Sequence, residues 1–378
     1  MGSVVQLSVP FRQTNREARV AAAIQRFAEE RRRPSDVFWL KENAELLGIL
    51  ESTGSAVGPQ ALAPMTKFYD ALDQKLAFFP QYYRFLLSLA LDLEDLGLPG
   101  DAGMRAVHWV AEQNLVGAEL SDLQRAEARR LCLRRGVDPL RGEDGLDDRL
   151  RAFGARSATF ALPNKKAAYE LTHIVFYLSE YGRRDPKIPA AFEDSLRFAG
   201  TLAFLELNID LLAEVCTALR FAGTTPPEIW ENWLRAQARR FDAVGDEMAW
   251  FADDYHPYLM TNWHALVCGT GGFGLTLPEG PVAFRAPHAA VAPLRELSEC
   301  MLGMRDSRSP DWSRMRDVLD QSLSDEAREV IAAAEEAVDF EAFFAGFARA
   351  ERPFANPGAE CAATAVPVSA TRRQGGWT

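Results

Sequence analysis

Three residues that can transfer protons follow one another along a single predicted helix. Glu170, His173 and Tyr177 are separated by three and four residues, so they share one helix face. Their neighbours are apolar, and burial shifts pKa values toward those that acid/base catalysis needs. We predict that Glu170 and His173 form a proton-transfer pair and that Tyr177 orients the ligand. The structural alternative is that His173 donates to a backbone carbonyl while Glu170 forms an ion pair.

Six predicted helices each end at a glycine, and these glycines align the helices with one another. Spacings of 39 to 46 residues, about one helical hairpin, separate Gly54, Gly97, Gly136, Gly182, Gly223 and Gly269. The residues nine positions earlier are Glu45, Ser88, Glu127, His173, Glu214 and Met260. On neighbouring helices they would lie at one level and converge on one ligand pocket, with Asp210, Trp263 and His264 as further wall residues. The alternative is coincidence, because glutamate is common on helices.

A metal site is the second chemical interpretation of these residues. Glu170-x-x-His173 matches the unit that di-iron helical bundles use twice. A second unit, Asp253-x-x-His256, is weakened because Pro257 places His256 at a helix boundary. The candidate ligands for a non-haem metal are Glu170, His173, Glu214, His256 and His264. The cofactor is otherwise unknown from the sequence.

Cap residues predict where the six helices begin and end. Side chains that accept hydrogen bonds are preferred just before a helix, and proline is preferred in its first turn. Such residues mark the predicted starts of the six helices: Asp36, Pro80, Ser121, Asn164, Asn208 and Pro257. Glycine favours the position after the last turn because it readily adopts the left-handed conformation. Further amphipathic helices are predicted at 18–33, 62–78, 103–116, 189–207 and 227–244. Alternating β-branched runs are almost absent, so the fold class is all-α.

The last third of the chain departs from this pattern. Residues 270–293 are rich in glycine and proline and predict one long ordered loop. Extra C-terminal helices are predicted at 293–303, 310–322 and 325–350, the last with Ser324 as N-cap. Residues 351–378 show no periodicity and predict a disordered tail. The domain prediction is therefore a single helical-repeat domain over 1–350.

Six helical hairpins can be arranged in two ways. They can close into an α/α toroid, with one helix of each pair inside, or stack as an open α-solenoid. A toroid requires inner helices that are apolar on both flanks with a narrow polar stripe. The segment around His173 has this character, so the toroid is the first prediction and the solenoid the alternative.

Composition limits the possible partners. The net charge of −11 argues against general nucleic-acid binding, which uses basic surfaces. The arginines at 31–33, 129–130 and 134–135 are interpreted as solvated faces or salt-bridge partners. Five widely spaced cysteines suggest neither a disulfide framework nor a zinc knuckle. No signal peptide or membrane-length apolar run is visible, which predicts a cytoplasmic protein. The oligomeric state is not predicted.

Two segments carry a family resemblance. Residues 36–48, DVFWLKENAELLG, and 169–177, YELTHIVFY, resemble an uncharacterised bacterial all-helical family, a domain of unknown function. The resemblance covers most of the chain and implies no activity. In architecture alone the repeat plan is similar to six-hairpin α/α toroids, a group that includes glycosidases, polysaccharide lyases and cyclases, and architecture by itself does not imply a reaction.

Three functions are compatible with the sequence. The first is an enzyme with acid/base residues in a central pocket, acting on a small or oligomeric ligand. The second is a helical-repeat scaffold that binds a peptide or protein partner. The third is a non-haem metal-binding, oxygenase-like protein.

Overall fold

The computed structural model describes residues 15–245, 253–287 and 291–350. The described residues form helices and one small sheet, which confirms the all-α class. The α-helices are α1 Arg16–Gln25, α2 Val37–Ser52, α3 Thr66–Asp70, α4 Leu72–Phe78, α5 Tyr83–Asp95, α6 Ala102–Glu112, α7 Asp122–Leu133, α8 Leu146–Gly154, α9 Ser157–Phe160, α10 Lys165–Leu178, α11 Ala190–Leu205, α12 Ile209–Phe221, α13 Glu228–Ala238, α14 Tyr255–Val267, α15 Pro293–Gly303, α16 Trp312–Asp320, α17 Asp325–Ala337 and α18 Phe340–Phe347. The strands are β1 Asp242–Gly245 and β2 Val282–Arg285.

The predicted N-cap residues are confirmed where their side chain can accept a hydrogen bond. Asp36, Ser121, Asn164 and Asn208 each accept a hydrogen bond from a backbone N–H of the first turn. Ser324 does the same for α17. Such bonds satisfy donors that the helix itself leaves unpaired.

The six aligned glycines all have positive φ, between 59° and 107°. At five of them the two backbone bonds of a Schellman motif close the helix, as in α2, where Ser55 N donates to Leu50 O and Gly54 N to Glu51 O. At α10 the motif comes earlier. Glu180 takes the left-handed position, with φ 50°, and Gly182 lies two residues beyond it. The prediction that Gly182 caps this helix is therefore wrong.

The six helices before these glycines are α2, α5, α7, α10, α12 and α14. Each contacts the next in chain order, and α14 in turn contacts α2. We call these six helices the circuit helices and their closed series of contacts the helix circuit. A toroid requires a contact between its first and last helices, whereas an open solenoid does not. The toroid itself stays a prediction.

The other helices cover the circuit. The helices α6, α8, α11 and α13 each contact the two circuit helices that flank them in the chain. The C-terminal α15 and α17 pack on α11, and α18 contacts α9. No helix among the described residues is both long and apolar enough to span a membrane.

Several boundaries differ from the sequence prediction. The helix expected over 62–78 divides into a 3₁₀ segment, Pro59–Met65, followed by α3 and α4. Pro64, which cannot continue an α-helical ladder, lies in the 3₁₀ segment, and a second break at Ala71 separates α3 from α4. The run expected over 227–244 ends at Ala238, and β1 follows it. The helix expected over 325–350 breaks at Val338, which is extended.

The segment at 270–293 is more than a loop. It contains β2, which pairs antiparallel with β1, with Asp242 opposite Arg285. Val282, Ala283 and Phe284 of β2 are buried, and their packing against the helices explains why this short strand forms. The predicted tail, 351–378, lies outside the described residues.

Candidate functional site

A cavity of about 100 Å³ lies among the six circuit helices, and each of the six contributes to its wall. We call it the central cavity. Its polar and charged lining residues are Glu45, Glu51, Ser52, Ser88, Asp92, Arg130, His173, Tyr181, Glu214, His256 and Trp263. A cavity of this size holds a ligand of only a few non-hydrogen atoms, or one end of a larger ligand.

His256, in the first turn of α14, has carboxylates on both sides of its ring. Its Nδ1 lies 3.0 Å from Asp210 Oδ2, and its Nε2 lies 3.8 Å from Glu45 Oε1 and 3.8 Å from Glu214 Oε1. Burial disfavours the charged ring, but the Asp210 hydrogen bond and the Glu45 and Glu214 charges outweigh it and raise the pKa of His256 to about 9. His256 is therefore an imidazolium at neutral pH.

Asp210 forms the hydrogen bond to Nδ1 of His256 and is itself bound by a tyrosine. The hydroxyl of Tyr169 donates to Asp210 Oδ2 at 2.7 Å, and the same oxygen accepts from His256. Burial opposes ionisation of Asp210, but the hydrogen bonds from His256 and Tyr169 prevail and lower its pKa. Asp210 thus remains ionised and fixes the orientation of the imidazole ring.

Glu214, in the middle of α12, is buried, and its neighbours offset only part of the cost of burying its charge. Thr172 Oγ1 donates to Glu214 Oε2 at 2.7 Å, and His173 Nδ1 lies 3.7 Å from the same oxygen. Burial raises the pKa of Glu214, and the neighbouring histidines offset this only in part. Glu214 is therefore suited to accept and release a proton.

Of the three residues predicted as a catalytic group on α10, His173 lines the central cavity, and Glu170 and Tyr177 do not. His173 lines the central cavity, but its Nδ1 is 2.7 Å from the backbone carbonyl of Tyr169. Glu170 is outside the cavity lining and lies 4.0 Å from Lys166. Tyr177 is buried, and burial raises its pKa. The hydrogen bond of His173 and the ion pair of Glu170 are those of the structural alternative.

The glycine alignment brought five of its six residues to this wall: Glu45, Ser88, His173, Glu214 and Met260 line the central cavity. Glu127 does not, and it pairs instead with Arg84. Arg130, one turn further along α7, takes its place. Arg130 is a salt-bridge partner, as predicted, since its Nη1 lies 3.4 Å from Glu180 Oε2, but the sequence did not place it at a cavity. His173 reaches the wall although Gly182 is not the cap of its helix.

Three buried polar atoms at this wall have no hydrogen-bond partner in the described chain. They are Glu45 Oε2, Arg130 Nε and Trp263 Nε1. Buried polar groups in folded proteins are nearly always paired, so the partners of these three atoms must come from water, a ligand or a small side-chain movement. Glu45 offers an acceptor, whereas Arg130 and Trp263 offer donors.

Aromatic rings form the apolar part of the same wall. The ring centroid of Trp263 lies 4.7 Å from that of Phe176 and 5.8 Å from that of Tyr181. The guanidinium carbon of Arg130 lies 4.6 Å from the centre of the Tyr181 ring. These contacts hold Trp263 and Arg130 in place beside the charged residues.

The structure brings three of the five predicted metal ligands together at the central cavity, His173, Glu214 and His256, but not Glu170 or His264. His264 follows His256 by eight residues, which rotates it by about 80° around α14. It lines a separate cavity with Glu231 and Cys268. Among the described residues, the group of metal-binding side chains whose donor atoms all lie within 4.8 Å of one another is Glu231, His264 and Cys268. His264 is thus not a wall residue of the central cavity.

A family model described as a domain of unknown function (DUF6902) matches residues 1–350, and the chain belongs to this family. No curated protein and no solved structure matches the chain.

Proposed function

We propose that the central cavity is the active site of an enzyme that performs acid/base chemistry on a small polar ligand. The observation that supports it best is the set of unpaired buried atoms of Glu45, Arg130 and Trp263 beside the charged His256. A ligand with an oxygen or similar acceptor on one side and a hydrogen-bond donor on the other would pair all three.

In this proposal His256 is the general acid. Its Nε2 carries the transferable proton, and Asp210 holds Nδ1 so that the ring keeps its orientation. Arg130 and Trp263 would bind the acceptor oxygen of the ligand, and Glu45 would accept from its donor. Glu214, whose pKa burial raises, would take up a proton released in the reaction. His256 and Asp210 thus replace Glu170 and His173 as the proposed catalytic pair.

Ligand binding can be tested before a reaction is found. A panel of small carboxylic acids, polyols and amines is screened by thermal shift against the full chain. We expect a ligand that stabilises the wild type and binds Glu45→Gln about tenfold more weakly or worse, because a charged hydrogen bond is lost. Glu170→Gln is the matched control and keeps wild-type affinity, since Glu170 does not line the central cavity.

Unchanged affinity in both Glu45→Gln and Arg130→Lys would show that the ligand binds elsewhere. Once a reaction is known, the role of His256 predicts a rate that falls as pH rises through about 9, where the acid loses its proton. The variant His256→Asn should lower the rate at neutral pH and lose this pH dependence.

One surface supports the alternative of a binding scaffold. A groove of about 870 Å³ is lined by Trp39, Phe68, Phe78 and Phe79. Phe78 is 75% exposed, which is unusual for so large an apolar side chain. A peptide with an apolar anchor would fit it. The scaffold is favoured if Phe78→Ser/Phe79→Ser loses a stoichiometric partner while no ligand of the central cavity is found.

A further inference from the structure

Glu231, His264 and Cys268 bring three different metal-binding atoms together outside the central cavity. Glu231 comes from α13, and His264 and Cys268 are four residues apart near the end of α14. His264 Nε2 lies 3.2 Å from Glu231 Oε1 and 3.3 Å from Cys268 Sγ, and Cys268 Sγ lies 3.5 Å from Glu231 Oε1.

These three distances resemble the edges of a tetrahedron of metal ligands. With the bond lengths that Zn²⁺ makes to nitrogen, sulfur and oxygen, two ligands of one tetrahedron lie about 3.3 to 3.7 Å apart. The three donor atoms would therefore need only small movements to share one ion. The spacing of His264 and Cys268, i and i+4, places both on one helix face, as in helical zinc motifs.

The surroundings fit an ion with one open position. The side chains of His264 and Glu231 are only 8% and 11% exposed, so the packing of α13 against α14 restricts both. All three residues line a cavity of about 380 Å³, which leaves room for water or a substrate at a fourth position. Three protein ligands with an open position are typical of catalytic zinc sites.

Arg220 orients the carboxylate of Glu231 through two hydrogen bonds. Its Nε donates to Glu231 Oε1 at 2.7 Å and its second guanidinium nitrogen to Oε2 at 2.8 Å. Partners of this kind orient a ligating side chain and are part of most metal sites. The carboxylate retains further lone pairs, so this ion pair does not prevent coordination.

We propose that Glu231, His264 and Cys268 form a three-ligand site for a divalent cation of the Zn²⁺ class, open to the cavity beside α13 and α14. The mixed nitrogen, sulfur and oxygen donors select Zn²⁺ or Co²⁺ over Mg²⁺ and Ca²⁺, which prefer oxygen alone. The site is separate from the central cavity, so it stands or fails independently of the acid/base proposal.

The test is a Co²⁺ titration of the full-length chain after treatment with a chelator, followed by absorption spectroscopy. We expect one Co²⁺ per chain, intense d–d bands of a tetrahedral ion, and a near-ultraviolet band from thiolate-to-cobalt charge transfer. Zn²⁺ should displace the Co²⁺. In Cys268→Ser the charge-transfer band should disappear, and in His264→Ala or Glu231→Ala the affinity should fall at least about tenfold.

Matched controls are Cys300→Ser and His108→Asn, which remove the same residue types from other helices and should leave the spectrum unchanged. If a variant fails to fold, wild-type protein provides a second readout, because bound Zn²⁺ should slow the reaction of one thiol with a thiol reagent. The proposal is overturned if the wild type binds no Co²⁺ or Zn²⁺ at micromolar concentrations. It is equally overturned if Cys268→Ser keeps the charge-transfer band.

Discussion

At the scale of residues, the environment of His256 determines its charge. Its Nδ1 faces Asp210 of α12, and its Nε2 faces Glu45 of α2 and Glu214 of α12. Tyr169 donates to Asp210, and His173 lies near Glu214. Tyr255, the neighbouring ring, is neutral because burial raises its pKa. The histidine is therefore the positive centre of a mainly acidic group.

This charge predicts a pH-dependent stability. The pKa of His256 rises from 6.5 to about 9 on folding, so its contribution is complete below pH 6.5 and is lost as pH rises through 9. We expect the free energy of unfolding to fall by roughly 3 kcal/mol over this interval. Urea unfolding between pH 6 and about 9.5 measures it, and His256→Asn should remove most of the slope.

The exposed His108 on α6 is the control for this experiment. His108→Asn should leave the pH dependence of the wild type in place. Equal slopes in the wild type and in His256→Asn would mean that His256 is not charged in the folded chain, and the acid role proposed for it would be lost.

At the scale of elements, the glycine caps hold the circuit helices to a defined length. Gly54, Gly97, Gly136, Gly223 and Gly269 all occupy the left-handed position of a Schellman motif. At α10 the same position is taken by Glu180, which shows that the backbone motif is required and that glycine is only its preferred residue.

A pair of alanine substitutions isolates this backbone effect. Gly136 has φ 75°, whereas Gly303, at the end of α15, does not have positive φ, and neither has an atom within 4 Å of an added Cβ. We expect Gly136→Ala to lower the free energy of unfolding by about 1 kcal/mol, because alanine is strained at positive φ. Gly303→Ala should be neutral or slightly stabilising. Chemical denaturation of both variants measures the difference, and equal effects would contradict the assignment.

At the scale of the whole molecule, a buried ion triad joins the two ends of the helix circuit. Arg31 Nε lies 3.0 Å from Glu42 Oε2 of α2, and its Nη1 lies 2.8 Å from Asp253 Oδ2, just before α14. Arg31 also donates to the carbonyl of Val282 in β2. All three charged side chains are at most 1% exposed.

Removal of the arginine should therefore be costly. Arg31→Ala leaves the buried Asp253 without its cation and Glu42 with Arg32 as its remaining partner. We expect a loss of about 3 to 5 kcal/mol in the free energy of unfolding. The exposed Arg33 is the control, and Arg33→Ala should change it by less than about 0.5 kcal/mol. Addition of Asp253→Asn to Arg31→Ala should recover part of the loss, because it removes the buried charge that has lost its cation. Similar denaturation midpoints for Arg31→Ala and Arg33→Ala would show that the triad does not stabilise the contact between α2 and α14.

The sequence alone determined the class of the fold, most helix boundaries and the level at which polar residues meet. Caps such as Asp36 and Asn164 act through hydrogen bonds within one turn, so a short segment contains all the information they need. The glycine alignment placed Glu45 and Glu214 at comparable heights, because equal distances from similar helix ends give equal rises along the axis. His173 lies only seven residues before Glu180, the cap of α10, and its place at the wall was not determined by this rule.

Only the tertiary structure decided which side chains act together. His256 and Asp210 are 46 residues apart in the chain, and their contact depends on how α12 packs against α14. The same packing turns His264 away from the central cavity and toward Glu231. The rotation of a helix about its axis is set by the whole core, since each helix must bury its apolar face against several neighbours at once.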